Sequence, residues 1–212
     1  MNHWDPSLYL VTDRSICRHK DWVEAVREAV AGGVTLVQLR EKNKPTQEVV
    51  ECGRALLKVL RPLGVPLVVN DFIEVAEAIE ADGVHLGATD ASAAEARRRL
   101  GPDAVIGVSL VANQGWVEST VDYVAVSPVF PTQSKTDLTP FFGLEGVKGV
   151  RRQTRLPLIA IGGIHSENAA AVLEAGADGL AVISAILASD DPRAAALRLK
   201  QVILEFRGSR VA

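Results

Sequence analysis

Cysteine is scarce in this chain of 212 residues: only Cys17 and Cys52 occur, with no CxxC pair and no clustering of the four histidines. That scarcity argues against a disulfide scaffold or a thiolate metal site and fits a reducing compartment, the cytoplasm. Long apolar runs are missing too. The start, MNHWDPSLYLVTD, has neither a basic leader nor an extended apolar stretch, and no run of about 18 apolar residues occurs. The sequence is therefore read as neither exported by that route nor membrane-spanning. No sign of charge dominates: 23 basic and 26 acidic side chains give −3, without the positive field of a general nucleic-acid binder. Aromatic residues make up only 5%, and Trp4, Trp22 and Trp116 are too scattered for a base-stacking platform, so each reads as a packing or surface anchor. Any anion must be gripped locally.

What is present is the composition of a soluble globular protein, 48% apolar and 23% charged. The length suits one domain, residues 1–212. Eight short apolar runs recur: 8–12, 35–39, 66–70, 83–86, 104–108, 123–126, 157–161 and 179–183. Helical periodicity fills 21–31, 46–61, 72–80, 91–100, 144–154, 166–175 and 192–206, with 112–120 the weakest helix. Alternating strands and helices predict a parallel sheet, and eight units predict an α/β single-domain (β/α)₈ TIM barrel of roughly 26 residues per unit. A doubly wound open sheet is the other arrangement this pattern fits. Ala31-Gly32-Gly33, Ala81-Asp82-Gly83 and Ala175-Gly176-Ala177-Asp178-Gly179 punctuate the units, where glycine can end a helix in the left-handed conformation. Residues 127–142, SPVFPTQSKTDLTPFF, lack periodicity and read as an active-site lid or binding loop.

In parallel α/β folds ligands bind beyond the carboxyl ends of the strands. After the second run come Gln38, Arg40, Glu41 and Lys42, and the two-residue period places Gln38 and Arg40 on one face if the strand extends that far. Arginine and lysine there can grip phosphate, although the same residues also suit a solvated loop. Asp71, after Asn70, and Asp90, in HLGATD, end neighbouring strands; two carboxylates so placed can hold magnesium beside substrate phosphates, or each can cap the helix that follows. Gly162-Gly163 and Ile183-Ser184 end the last two strands, where barrels often cradle phosphate on backbone N–H groups; a tight turn explains the glycines equally. His85 reads as a hydrogen-bonded core residue. Ser109 follows the fifth strand with no histidine–acid partners in sequence to mark a nucleophile. Arg97 to Arg99, Arg151 and Arg152 read as solvated helix faces.

In this order, YLVTD, VQLREK, VNDFIEVAEAIEADGVHLGATD, GVS, SPVFPTQSKTD and AIGGIHSENAAAVLEAGADGLAVISAI resemble the thiamine-phosphate synthase family over most of the chain. The resemblance implies a (β/α)₈ transferase that joins hydroxymethylpyrimidine diphosphate to thiazole phosphate with magnesium, releasing pyrophosphate. By motif position it implies pyrimidine-diphosphate contacts at Gln38, Arg40, Glu41, Lys42 and Asn70, with Ser109 and Lys135 also on the diphosphate side. It further implies magnesium ligands at Asp71 and Asp90, and thiazole-phosphate contacts at Thr132, Ser134, Gly163, Ile183 and Ser184. Arg40, Lys42, Lys135 and Ser109 would serve catalysis. The partners implied are these small molecules, with no nucleic acid and no membrane, and a homo-oligomer is compatible with the reading.

Three departures stand out: Ala88 replaces a usual glutamine in HxGQxD, Ser127 a frequent glycine, and Ser134 a common threonine. The stretch 109–122 is also shorter than usual. A thiazole tautomerase on the same barrel is the nearest alternative, but it tends to carry histidine where this chain has Val111 and to lack the acidic pair. A non-catalytic phosphate-ligand sensor is the third reading.

Overall fold

The eight strands are short, aliphatic and buried: β1 (Leu8–Val11), β2 (Leu36–Leu39), β3 (Leu67–Asn70), β4 (Gly83–Leu86), β5 (Val105–Leu110), β6 (Tyr123–Val126), β7 (Leu158–Ile161) and β8 (Gly179–Val182). Buried on both faces, such strands pair in parallel, and here each pairs with its sequence neighbours while β8 returns to β1. The closed barrel excludes the open sheet. The structure, a computed structural model, describes residues 4–19, 21–87, 89–110, 120–132 and 141–209. The expected helix at 112–120 and the tip of the 127–142 loop lie largely outside these residues.

Alternation along each strand divides the core in two. Leu8, Leu10, Val37, Leu39, Leu67 and Val69 face the surrounding helices, whereas Tyr9, Val11, Leu36, Val68, Tyr123, Ala125 and Ile159 fill the barrel interior. The helices are α1 (Trp22–Ala31), α2 (Thr46–Leu60), α3 (Ile73–Ile79), α4 (Ala93–Leu100), α5 (Gly143–Arg151), α6 (Ala169–Glu174), α7 (Ser184–Leu187) and α8 (Pro192–Gly208). In α2 the buried Val49, Cys52, Gly53, Leu56 and Leu60 recur at the three-to-four spacing that makes one apolar stripe. Each aliphatic side chain so buried contributes about 1.5–3 kcal/mol.

Several local expectations change. β5 runs two residues beyond the apolar run, so Ser109 lies within the strand, paired with Ala125. Ser184 opens the short helix α7. At the end of α3 the left-handed residue is Glu80, φ 54°, while Gly83 sits in β4, where a Cβ would come within 1.9 Å of the Val105 carbonyl oxygen.

The acidic residues before β4, β6 and β8 staple the sheet. Asp82, Asp122 and Asp178 accept the backbone N–H of Leu67, Ile106 and Leu158 at 2.8, 2.7 and 2.8 Å. Arg97 and Arg151, expected on solvated faces, are instead half-buried clamps: Arg97 pairs with Asp122 and reaches the Ala104 carbonyl, and Arg151 pairs with Asp178 and the Leu156 carbonyl. A guanidinium offers several donors in a fixed fork, so one side chain can satisfy carbonyls from successive turns.

Candidate active site

At the carboxyl ends of the strands the barrel opens into a cavity of about 360 Å³. One wall belongs to β2, β3 and β4. Gln38 of β2 and Arg40, just past the strand's end at Leu39, both line it, and Lys42, Asn70, Asp71 and Asp90 complete it. Arg40 is held from below: its N–H donates to Thr12 Oγ1 at 3.0 Å and its guanidinium pairs with Asp13 at 3.1 Å. Asp13 was not anticipated, because only the β1–β2 pairing brings the YLVTD end beside the REK motif.

Asp71 takes φ 66°, a left-handed conformation that aspartate tolerates better than most residues, and its N–H donates to the His85 carbonyl at 2.9 Å. Neither acidic residue caps a helix. The residue preceding α3 is Phe72, with no side-chain cap, and α4 is capped by Ser92, which accepts from Glu95 N–H. Asp90 instead accepts the Gly87 N–H at 2.6 Å. Burial, then the neighbouring Asp90 carboxylate, pushes Asp71 up to about 6, against the opposing pull of Lys42 and Arg40. Two hard oxygen donors crowded into one wall suit a cation such as magnesium. Among the described residues no group of three or more His, Cys, Asp and Glu assembles, so water or substrate oxygens would complete the shell of such a cation.

The opposite wall comes from β6, β7 and β8. Ser127, Thr132, Gly162, Gly163, Ile183 and Ser184 line it. Val129 and Phe130 N–H groups donate to the Ile161 and Gly162 carbonyls, and Phe142 and Gly143 to those of Pro128 and Val129, so both stems of the 127–142 loop are fixed at this wall. Gly163 has φ 65°, and a Cβ there would fall 2.8 Å from both Phe130 Cβ and the Pro131 carbonyl oxygen. Asn168 locks the turn, donating to the Gly163 carbonyl and accepting from His165 N–H, both at 2.9 Å.

The floor is polar. His85 Nε2 lies 2.8 Å from Ser109 Oγ and His85 Nδ1 lies 2.9 Å from the Tyr123 hydroxyl. The Tyr123 hydroxyl meets that of Tyr9 at 3.0 Å, and Gln38 Nε2 donates to Tyr9 at 2.8 Å. Ser109 thus has a histidine partner that its sequence neighbourhood concealed. Among the described residues the third group is a tyrosine.

A profile of the family described as thiamine monophosphate synthase matches residues 8–186. The chain belongs to that family. It is 51% identical over 199 residues to the thiamine-phosphate synthase of Albidiferax ferrireducens, covering 92% of this chain and 91% of that one. It is 43% identical over 212 residues to that of Moorella thermoacetica, covering 98% and 100%. Among solved structures, thiamine phosphate pyrophosphorylase from Pyrococcus furiosus superposes with a TM-score of 0.82 at 37% identity, over 95% of this chain and 96% of that one.

Of the residues singled out by likeness to the thiamine monophosphate synthase family, Gln38, Arg40, Lys42, Asn70, Asp71, Asp90, Ser109, Thr132, Gly163, Ile183 and Ser184 all line the one cavity. Ser134 and Lys135 lie outside the described residues. Glu41 is not brought to the cavity. Its side chain instead meets Arg14 Nε at 3.1 Å, and burial pushes its carboxyl up against the pull of Arg14. Arg14 also pairs with Glu48 at 2.5 Å and stacks over Trp22. Glu41 therefore braces the loop that carries Arg40 and Lys42.

Proposed function

We propose that this single-domain barrel is a thiamine-phosphate synthase working in the cytoplasm, where Cys17 and Cys52 stay as free thiols. It transfers the hydroxymethylpyrimidine group from its diphosphate to the nitrogen of a thiazole phosphate. The observation that supports this most directly is the meeting, in one cavity, of a wall with Arg40, Lys42, Asp71 and Asp90 and a facing wall with Thr132, Gly163, Ile183 and Ser184. Two phosphorylated substrates need two such walls. Among the described residues no helix is long and apolar enough to cross a membrane.

Gln38 and Asn70 orient the pyrimidine diphosphate, and Arg40 and Lys42 neutralise its oxygens. Asp71 and Asp90 would hold magnesium, which when bound supplies charge neutralisation at the leaving diphosphate. The pyrimidine-methyl carbon loses pyrophosphate before the thiazole nitrogen reaches it, so no protein nucleophile is needed. The protein holds the two reactants in line and keeps water away while positive charge sits on the pyrimidine. Thr132, Ser134, Gly163, Ile183 and Ser184 fix the thiazole phosphate, and Lys135 stabilises the leaving group.

The deciding assay supplies both substrates with and without magnesium and measures thiamine phosphate and pyrophosphate. Both products are expected only with magnesium. Product without it would refute the metal role, and an isomerised thiazole with no thiamine phosphate would replace the synthase by the tautomerase. Lys135→Ala is expected to lower kcat about 10²-fold with both substrates saturating, and normal turnover would remove its catalytic role. Gly163→Ala forces a side chain into a left-handed turn against the loop stem. It is expected to raise KM for thiazole phosphate about tenfold or more, with KM for the pyrimidine diphosphate little changed; equal changes in both would point to general distortion.

A further inference from the structure

Below the cavity the polar floor forms one continuous chain, Gln38–Tyr9–Tyr123–His85–Ser109, drawn from five strands. Tyr123 is its centre. It is 0% exposed and does not line the cavity, so it acts only through neighbours that do, Tyr9 and His85. Its position is built into the strands. His85, Gly107 and Tyr123 sit at one level of β4, β5 and β6, and a Cβ at Gly107 would fall 2.0 Å from Tyr123 Cζ. The missing side chain lets the phenol ring cross β5 and stack on the His85 imidazole, with centroids 5.5 Å apart and planes 23° from parallel. Trp4 closes the ring in from the other side, 5.2 Å away.

The direction of the chain follows from counting hydrogens. Burial raises both phenols above their ordinary value, so each keeps its one hydrogen. Among the described residues the Tyr9 hydroxyl meets Gln38 and Tyr123. It accepts from the Gln38 amide, so its own hydrogen goes to Tyr123. The Tyr123 oxygen is then an acceptor toward Tyr9, and its hydrogen goes to His85 Nδ1. An imidazole that accepts at Nδ1 donates at Nε2, and Ser109 Oγ receives that bond. The reverse direction would leave the buried Tyr9 hydrogen without an acceptor among the described residues, an unfavourable arrangement.

We infer that Tyr123 is a positioning residue that fixes His85 as the neutral Nε2–H tautomer, so that Ser109 turns its hydroxyl hydrogen upward and presents a donor to an acceptor atom of the bound pyrimidine diphosphate. The inference rests on the synthase reading for its substrate. It also separates this Ser–His pair from a nucleophile and its base, since in that arrangement serine would donate to histidine. The chain sets the floor's polarity: with its hydrogen committed upward, Ser109 favours substrates that place an acceptor there and disfavours analogues that place a donor.

Nitrogen-15 NMR of histidine-labelled, ligand-free protein reads the tautomer without substrate, with His85 assigned from the signal lost in His85→Gln. The expected spectrum has a protonated Nε2 and an unprotonated Nδ1; a protonated Nδ1, alone or with Nε2, overturns the inference. In turnover, Tyr123→Phe keeps the ring and removes the hydroxyl. It is expected to lower kcat/KM for the pyrimidine diphosphate about tenfold, with KM for thiazole phosphate unchanged. Because the effect passes through Ser109, the double variant with Ser109→Ala should be no worse than Ser109→Ala alone. Multiplied losses would mark a merely structural tyrosine and overturn the inference. If the wild-type chain makes no thiamine phosphate, the synthase reading fails on that count, and the tautomer alone decides this one.

Discussion

Asp71→Asn is expected to lower kcat/KM for the pyrimidine diphosphate about 10³-fold while making the ligand-free protein more stable at neutral pH. Both effects have one source. Burial and the Asp90 carboxylate raise Asp71 from its ordinary 3.8 to about 6, so the folded state holds the proton more tightly than the unfolded chain does. Protonation therefore favours the fold. That contribution is fully present below about pH 4 and is lost as pH rises through 6, above which the ionised pair opposes folding. A shift of about two units corresponds to roughly 3 kcal/mol, and discounting for the half-exposed side chain leaves about 1 kcal/mol. Asparagine removes the charge at nearly constant size, so Tm at pH 7.5 should rise by about 2–4 °C, with little change at pH 4. A variant that is active within tenfold of wild type, or less stable at pH 7.5, would refute the account. The acidic pair is then a local electrostatic cost that a bound cation would relieve.

Gly107→Ala is expected to cost about 3 kcal/mol, lowering Tm by roughly 6–12 °C in thermal unfolding. The added methyl would lie 2.0, 2.3 and 2.4 Å from Tyr123 Cζ, Cε1 and Oη, and the ring cannot retreat because Trp4 and Tyr9 pack against it. The substitution should also uncouple His85 from Tyr123 and reproduce at least the activity loss of Tyr123→Phe. Gly208→Ala makes the control. A Cβ at Gly208 meets nothing within 4 Å, and the backbone there is helical, so Tm should hold or rise slightly. Equal effects at the two sites would show that glycine entropy, and not the collision at Tyr123, sets the cost.

Much of the site was legible because strands obey a period of two. Within β2 that period turns Gln38 into the barrel, whereas Arg40 and Glu41 lie beyond the strand's end at Leu39, where the loop directs Arg40 to the cavity and Glu41 to Arg14. Glu41 had been grouped with its neighbours as a substrate contact, and only the folded loop shows it on Arg14. The ambiguity over Asp71 and Asp90 was of another kind. Aspartate before a helix suits a cap as well as a ligand, and only the backbone shows Phe72 and Ser92 in the capping positions. Arg97 and Arg151 misread as solvated because a guanidinium on a helix end looks exposed in sequence, and its partners Asp122 and Asp178 lie more than twenty residues away.

The sequence by itself determined the repeating strand–helix unit, its number, and the polar residues at the strand ends, because these depend on periodicity and local backbone preference. Barrel closure decided the rest. It brought Asp13 beneath Arg40, set Asp71 against Asp90, and joined Tyr9 of β1 to Tyr123 of β6 across the interior. Whether a tyrosine can reach a histidine two strands away depends on a side chain missing from the strand between them. No local rule connects Gly107 to His85 and Tyr123, because their meeting depends on the register and curvature of the closed sheet.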